Sequence, residues 1–123
     1  MIEVLNRKDK LEGYIDGKKY LNKKKKLLSY IENNEFKDKS GYTLLILTEN
    51  REITWNEGEK QGWLEDGKIY SSLDNRLTLE FKKDKGQILD SEGNVVLYFK
   101  GDFEKLDDLD FFGIAGQYLE LFA

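Results

Sequence analysis

Two stretches of the sequence carry the same short turn. "GYIDGKKY" spans Gly13–Tyr20 and "GWLEDGKIY" spans Gly62–Tyr70. With one inserted residue they align as Gly, aromatic, aliphatic, Asp-Gly-Lys and Tyr. Asp-Gly is typical of the type I′ turn, in which both central residues take positive φ and join two antiparallel strands. The sequence therefore predicts hairpins that close at Asp16-Gly17 and Asp66-Gly67.

Looser versions of this unit occur elsewhere in the chain. "GYTLLILTENREITW" starts at Gly41 and "GQILDSEGNVVLYF" starts at Gly86, so units begin near Gly17, Gly41, Gly67 and Gly86. The gaps between them are too uneven for a solenoid of identical repeats. They fit either related hairpins or an ordinary antiparallel meander. The predicted fold is mainly β, with antiparallel hairpins over residues 1–101 forming a small barrel or a flower-like sheet.

The apolar pattern places the strands and leaves one segment ambiguous. "TLLIL" (Thr43–Leu47) is continuously apolar, which predicts the most buried strand. Ile53 and Trp55 share one face of a strand, so both are expected in the core. The segment Leu21–Ile31 has a Lys-rich back and fits either an amphipathic helix or a strand. The repeat pattern favours the strand.

The C-terminus has a different period. Apolar residues recur there at helical spacing, namely Phe111, Phe112, Ala115, Leu119 and Phe122. This predicts a helix over residues 105–122 that packs on the sheet or closes one open end, with Asp107 or Asp108 as its N-cap. Gly113 and Gly116 weaken a helix interior. They are therefore expected where the sheet approaches the helix closely.

Length and composition favour one ordered domain. The chain has 123 residues and 13% aromatic residues, which suits a single domain over residues 1–123 and is unlike a disordered chain. It has no apolar run of about 18 residues and no signal-peptide core. A cytoplasmic location is therefore expected.

The residue types give little support for catalysis. The chain has no His and no Cys, so it lacks the commonest general base, the thiol nucleophile and the usual zinc ligands. It contains no GxSxG elbow, no phosphate-binding GxxxxGK[ST] loop and no GxGxxG fingerprint. Its acidic pairs fit turns and helix caps. We expect no enzyme activity, no cofactor and no metal site.

Charge is distributed unevenly along the chain. The whole chain has a net charge of −4, with +4 in residues 1–40 and −8 in residues 41–123. The run "KKKK" (Lys23–Lys26) is expected to be a solvated hairpin tip that blunts an exposed edge. An acidic body suits a basic protein partner and disfavours nucleic acid or a membrane surface.

Aromatic residues beside acidic ones predict a binding surface. Trp and Tyr dominate the energetics of protein interfaces. Trp63 precedes the acidic turn "LED", so an exposed tryptophan with an acidic rim is expected there. The predicted partner-binding residues are Trp63, Tyr70, Glu57, Glu59, Glu65 and Asp66.

The stretch Gly86–Gly101 reads G-x-I-x-x-S-x-G-N-V-V-x-Y-F-x-G. This pattern resembles small bacterial hairpin-repeat domains of the beta-flower kind, and it also looks like the strand pairs of the LURP-one and scramblase-like families. The resemblance covers Gly67–Gly101 and extends further only through the repetition. It implies a fold built from hairpins and carries over no catalytic residue. The closed barrel of the LURP-one family is expected to need a longer chain.

Three functional hypotheses follow. The first is a non-enzymatic binding domain, an acidic inhibitor or immunity protein that neutralises a basic partner such as a bacterial toxin. The second is a small β-barrel that binds a lipid or other apolar ligand under the C-terminal helix. The third is a phage-borne inhibitor of a host defence protein, which shares the chemistry of the first. The chain is expected to be a monomer, or a homodimer formed through exposed edge strands.

Overall fold

The computed structural model describes residues 1–122, which form twelve β-strands and one α-helix. The strands are β1 (Ile2–Asn6), β2 (Leu11–Asp16), β3 (Lys19–Leu21), β4 (Leu27–Glu32), β5 (Glu35–Asp38), β6 (Thr43–Leu47), β7 (Glu52–Trp55), β8 (Lys60–Glu65), β9 (Lys68–Ser71), β10 (Leu77–Lys82), β11 (Gln87–Asp90) and β12 (Val95–Lys100), and the helix is α1 (Asp108–Tyr118). Each strand pairs antiparallel with the next along the chain. β1 also pairs with β12, so the sheet closes into a barrel.

The predicted mainly-β fold of hairpins in series is confirmed, as a closed barrel rather than an open flower-like sheet. A closed barrel was expected to need a longer chain, but the strands are only three to six residues long, so 123 residues are enough to close it. Closure leaves no free edge in the sheet of residues 2–100. The exposed edge strands through which a homodimer was expected are therefore absent from this sheet, and the oligomeric state stays a prediction.

The meander gives the barrel two ends, which differ in their turns. We call the upper rim the end formed by the turns at residues 6–10, 22–26, 38–42, 55–59, 71–76 and 90–94, and the lower rim the end formed by the turns at 16–19, 32–35, 47–52, 65–68 and 82–87. Upper-rim turns share one design. In four of them the first residue's side-chain oxygen accepts hydrogen bonds from the backbone N–H groups of the third and fifth residues; these first residues are Asn6, Asn22, Asp38 and Asp90.

The Lys23–Lys26 run lies in one of these upper-rim turns and is exposed. Lys25 takes a positive φ of 63° in the fourth position of the turn. Its ammonium group lies 5.1 Å from the centroid of the Tyr14 ring. The run is thus a solvated hairpin tip, as the sequence predicted.

Two inward-facing glycines occupy corresponding positions in the two halves of the barrel. Gly13 on β2 and Gly62 on β8 both point inward, six strands apart in a ring of twelve. A Cβ on either residue would overlap the carbonyl oxygen of a neighbouring strand, that of Leu21 or that of Tyr70. Each half therefore keeps a glycine where its barrel wall is tightest, which is consistent with a hairpin-repeat fold.

The register of the two related hairpins differs from the sequence alignment. Asp16 pairs with Lys19, and Glu65 pairs with Lys68, so the two loops have equal length and no inserted residue. Tyr20 consequently occupies the position of Ile69 and points into the core, whereas Tyr70 points outward. A shift of one residue moves a side chain to the opposite face of a strand.

The predicted type I′ turn is present at Asp66-Gly67, whose φ angles are 50° and 71°. In the first hairpin the two loop residues are Gly17 and Lys18, and only Gly17 has a positive φ. Asp16 is there the last residue of its strand rather than a central turn residue.

Helix α1 lies inside the barrel. Phe111 packs on Phe81 of β10 with ring centroids 5.4 Å apart, and Phe112 packs on Phe36 of β5 at 6.4 Å. Residues 110–115 are all buried, which is more than one full turn, so every side of the helix faces the wall. The helix fills the barrel from the lower rim upward instead of covering an open end.

The helix is shorter than the predicted range of 105–122. Residues 103–105 form a separate 3-10 turn, and Asp107 caps the α-helix as one of the two predicted candidates. The helix ends at Tyr118, and Glu120, the residue after the C-cap Leu119, takes a positive φ of 50° that cannot continue the helix.

Three further predictions on burial have mixed outcomes. The Leu21–Ile31 segment consists of strand ends joined by a turn, as the repeat pattern favoured. Thr43–Leu47 is not the most buried strand, because Leu44 points outward and is 40% exposed. Trp55 is not a core residue: Ile53 is fully buried, but Trp55 lies at the upper end of β7 and is 41% exposed.

Candidate functional site

The upper rim carries an apolar groove beside β6 and β7. One half of the groove is lined by Tyr42, Thr43, Leu44, Trp55, Asn56 and Glu57. The other half, a cavity of about 420 Å³, lies between the wall and the C-terminal segment and is lined by Phe36, Leu44, Leu45, Trp55, Gly116, Glu120, Leu121 and Phe122. Leu44 and Trp55 belong to both halves. Tyr42, at 57% exposed, adds a third large apolar side chain to this surface.

The charge of this groove has one sign. Its charged lining residues are Glu57 and Glu120, and no Lys or Arg lines either half. Within residues 1–122, neither carboxylate belongs to an ion pair. The groove thus offers apolar surface flanked by uncompensated negative charge.

The predicted anchor, Trp63, lies on the outer wall of the barrel and is only partly exposed. Its ring stacks on Tyr70, its cross-strand neighbour, with centroids 5.1 Å apart and planes inclined by 12°. Lys60 Nζ lies 5.3 Å from the Trp63 ring centroid and also forms a 3.1 Å ion pair with Glu52. Trp63 therefore already has partners within its own chain.

The acidic residues predicted to surround Trp63 are divided between the two ends of the barrel. Glu57 and Glu59 lie in the upper-rim turn that precedes β8, whereas Glu65 and Asp66 lie at the lower rim where β8 ends. The structure brings Trp63 together with Tyr70 but does not gather the four carboxylates around it. Glu57 instead lines the groove that contains Trp55.

Sequence reasoning assigned the two tryptophans opposite environments from those observed. Trp55 pairs with the buried Leu45 and Ile53 pairs with the buried Leu47, so the two residues share a direction, but Trp55 lies where the barrel wall ends and is exposed. The sequence signal for this exposure is the turn "WNEGE", which begins at Trp55. In the structure the Gly58 N–H donates a hydrogen bond to the Trp55 carbonyl, which closes this turn.

A second polar cluster lies at the lower rim. Asp110 is only 2% exposed, and its carboxylate accepts hydrogen bonds from Lys18 Nζ at 2.8 Å, Tyr20 OH at 3.3 Å and the Asp107 N–H at 3.1 Å. The Asp107 side chain accepts a bond from the Asp110 N–H at 2.9 Å, which completes a capping box. Arg51 pairs with Asp108 beside it.

Burial is the main influence on the acid–base properties of this cluster. It raises the pKa of Asp110, although the Lys18 ammonium opposes the change. Burial also acts to raise the pKa of Asp107, but the Asp110 N–H and Lys18 outweigh it and the pKa is lowered. Because each polar group is satisfied within the chain, the cluster anchors the start of the helix rather than presenting a free site.

Metal-binding clusters and membrane-spanning helices are both absent from residues 1–122. In the described part of the chain, residues 1–122, no three acidic side chains converge where a metal ion could bind. No helix among these residues is long and apolar enough to cross a membrane. Comparison with protein-family models, curated proteins and solved structures found no match to this chain.

Proposed function

We propose that this barrel is a non-enzymatic protein-binding domain that inhibits a basic partner protein, such as a bacterial toxin. The observation that carries the proposal is the groove at the upper rim, where Trp55, Tyr42 and Leu44 are exposed beside Glu57 and Glu120. Exposed apolar patches with a polar border are typical of interaction sites. Tryptophan and tyrosine supply most binding energy at such sites.

The rest of the molecule supports this use of the groove. The barrel is filled by its own helix, so the surface around Trp55 is held on a rigid support. Residues 41–123, which contain most of the groove, carry a net charge of −8. Such a field speeds the association of a basic partner and orients it.

The upper rim also carries positive charge outside the groove. Arg7, Lys8 and Lys10 lie in the β1–β2 turn, and Lys23–Lys26 lie in the β3–β4 turn, which is next to the β5–β6 turn that contains Tyr42. A basic partner is repelled there and attracted at the groove. The rim thereby restricts the partner to one orientation.

The test is to capture partners on the immobilised protein from a lysate of the source organism, and to elute with rising salt. We expect one stoichiometric basic protein that the Trp55→Ala variant fails to retain. With that protein purified, the association rate should fall as salt rises. The double substitution Glu57→Gln and Glu120→Gln should lower it, whereas Lys23→Gln with Lys24→Gln should raise it. A salt-insensitive rate, or equal capture by Trp55→Ala, would count against the proposal.

A lipid or apolar ligand is the second candidate, and the 420 Å³ half of the groove favours it because this cavity lies between the C-terminal segment and the wall. The barrel interior itself is occupied by Phe111, Phe112 and Ile114, so this candidate places the ligand in the groove and not inside the barrel. Native mass spectrometry of the purified protein tests this candidate. A bound small molecule that is lost in Trp55→Ala would support it, and a protein of bare mass would exclude it.

A further inference from the structure

We infer that the groove receives a segment of the partner in which a bulky apolar side chain stands next to a lysine or arginine. This inference rests on the proposed function and names the chemistry that the same site recognises. It follows from the shape of the groove, from its charge and from a comparison of the two tryptophans.

The floor of the groove suits an apolar side chain. It is formed by Phe36, Leu45 and Leu121, which are buried, and by the helix backbone at Gly116. A Cβ on Gly116 would approach the Phe36 ring to 2.9 Å, so the helix and this ring are already in contact beneath the cavity. An entering apolar group therefore meets buried apolar side chains and the helix backbone rather than the inside of the barrel.

The border of the groove suits a cation. Glu57 lies in one half and Glu120 in the other, with Trp55 shared between them. A lysine or arginine over the Trp55 ring would lie between two halves of the groove that each contain one carboxylate. Tryptophan is the best aromatic acceptor of a cation–π contact.

Trp63 already makes, with residues of its own chain, the contacts with a cation and a carboxylate that are inferred for Trp55. Lys60 lies over its ring at 5.3 Å and pairs with Glu52, so that a tryptophan, a lysine and a glutamate form one group. Trp55 has an exposed ring and neighbouring glutamates, but within residues 1–122 no lysine or arginine lies over it. The missing member of that group is a cation, which the partner would supply.

The probe is the pentapeptide GKLKG with blocked termini, compared with GELEG and GKSKG. Binding is followed by NMR through the two indole N–H resonances, assigned with Trp55→Phe and Trp63→Phe. We expect GKLKG to shift the Trp55 resonance in a saturable way and to leave that of Trp63 unchanged. It should bind about fivefold or more tightly than either control peptide, which corresponds to roughly 1 kcal/mol.

Matched variants separate charge from shape. Glu57→Gln with Glu120→Gln should weaken GKLKG binding about threefold or more, since the cation loses both carboxylates. Glu65→Gln, on the lower rim, should leave binding unchanged. Equal binding of all three peptides, or a shift confined to Trp63, would overturn the inference.

The outcomes also distinguish this inference from the proposed function. If GKLKG binds as expected but the lysate yields no partner, the chemistry of the groove stands and the inhibitor role does not. If a basic partner binds with salt-dependent kinetics and Trp55→Ala fails to retain it, while GKLKG does not bind, the function stands and this inference is wrong.

Discussion

Gly113 lies in the middle of helix α1, where glycine is the poorest helix former apart from proline. A Cβ at this position would overlap the hydroxyl and ring of Tyr20 on β3. The wall of the barrel thus passes so close to the helix backbone that no side chain fits between them. The sequence predicted a close approach here, and the structure identifies the approaching residue.

We predict that Gly113→Ala destabilises the protein although alanine favours the helix. Helix propensity alone would stabilise the variant by about 1 kcal/mol. Overpacking against Tyr20 costs more, and we expect a net loss of about 1–3 kcal/mol in the free energy of unfolding. Urea unfolding followed by tryptophan fluorescence measures it. A variant as stable as the parent would show that the wall yields at this point.

The two tryptophans show which properties of a single side chain could be predicted from the sequence. Alternation along a strand gave the direction of Trp55 correctly, because a strand places every second side chain on one face. It did not give the distance of Trp55 from the end of the barrel, which depends on which strands close the circuit. The exposure of a side chain at the rim depends on where strands that are distant in the sequence end, so a local sequence pattern cannot predict it.

Helix α1 is held at its start by the lower-rim cluster. The buried carboxylate of Asp110 accepts hydrogen bonds from the Asp107 N–H, the Tyr20 hydroxyl and the Lys18 ammonium. The N-cap could be predicted because aspartate before an apolar helical stripe is a local signal. Its partners Lys18 and Tyr20 could not, since they lie about ninety residues earlier in the chain.

We predict that Asp110→Ala lowers the free energy of unfolding by about 2–4 kcal/mol, because it removes the capping box and leaves the Tyr20 hydroxyl buried without a partner. Asp110→Asn should lose less, since the amide oxygen still accepts from Tyr20. Thermal unfolding at neutral pH compares the two. Equal losses in both variants would mean that the negative charge, rather than the hydrogen bonds, holds the helix.

The Trp63–Tyr70 pair is a cross-strand contact between the neighbouring strands β8 and β9. A double-mutant cycle with Trp63→Ala and Tyr70→Ala should give a coupling energy of about 0.5–1.5 kcal/mol. Neither substitution should alter the binding of GKLKG at Trp55. If Trp63→Ala lost peptide binding while its stability was unchanged, the binding site would lie at Trp63 on the outer wall and not at Trp55.

At the scale of the whole molecule, hairpins in series were predictable because turn chemistry and alternation are local. The meeting of β1 with β12 and the insertion of the helix were not, since both depend on twelve short strands acting together. The helical stripe could have covered a sheet or filled a barrel. A helix that fills a barrel is apolar on all sides, whereas a helix that covers a sheet is apolar on one side. Gly113 and Gly116 interrupt the apolar pattern, so the sequence looks like the one-sided case.

The buried phenols make the folded molecule sensitive to alkali. Burial raises the pKa of Tyr20 well above its usual value, with the Asp110 charge adding to it, and burial also raises the pKa of Tyr118. A raised pKa in the folded state gives stability that is present below the unfolded pKa of about 10 and is lost above it. Lys18, whose pKa is raised by its Asp110 and Asp107 partners despite burial, acts in the same direction.

We therefore predict that the free energy of unfolding falls between pH 9 and pH 11.5, by about 1.4 kcal/mol per pH unit for each phenol once the pH passes 10. Urea unfolding at four pH values measures this slope. Tyr118→Phe removes one of the two phenols and should make the slope shallower, although it also loses the bonds to the Tyr14 and Leu21 carbonyls. Stability independent of pH in this range would contradict the burial of both hydroxyls.

The barrel and its helix should form one cooperative unit, because neither has an apolar core without the other. Deleting residues 107–123 removes Phe111, Phe112 and Ile114, all of them fully buried. Each phenylalanine truncated to alanine costs about 3–5 kcal/mol, so removing all three side chains exceeds most of the roughly 5–15 kcal/mol that stabilises a domain. We predict that the shortened chain shows no dispersed amide spectrum, whereas Phe112→Ala in the full chain folds with reduced stability. A well-dispersed spectrum of the shortened chain would mean that the strands close a barrel by themselves, with the helix added afterward.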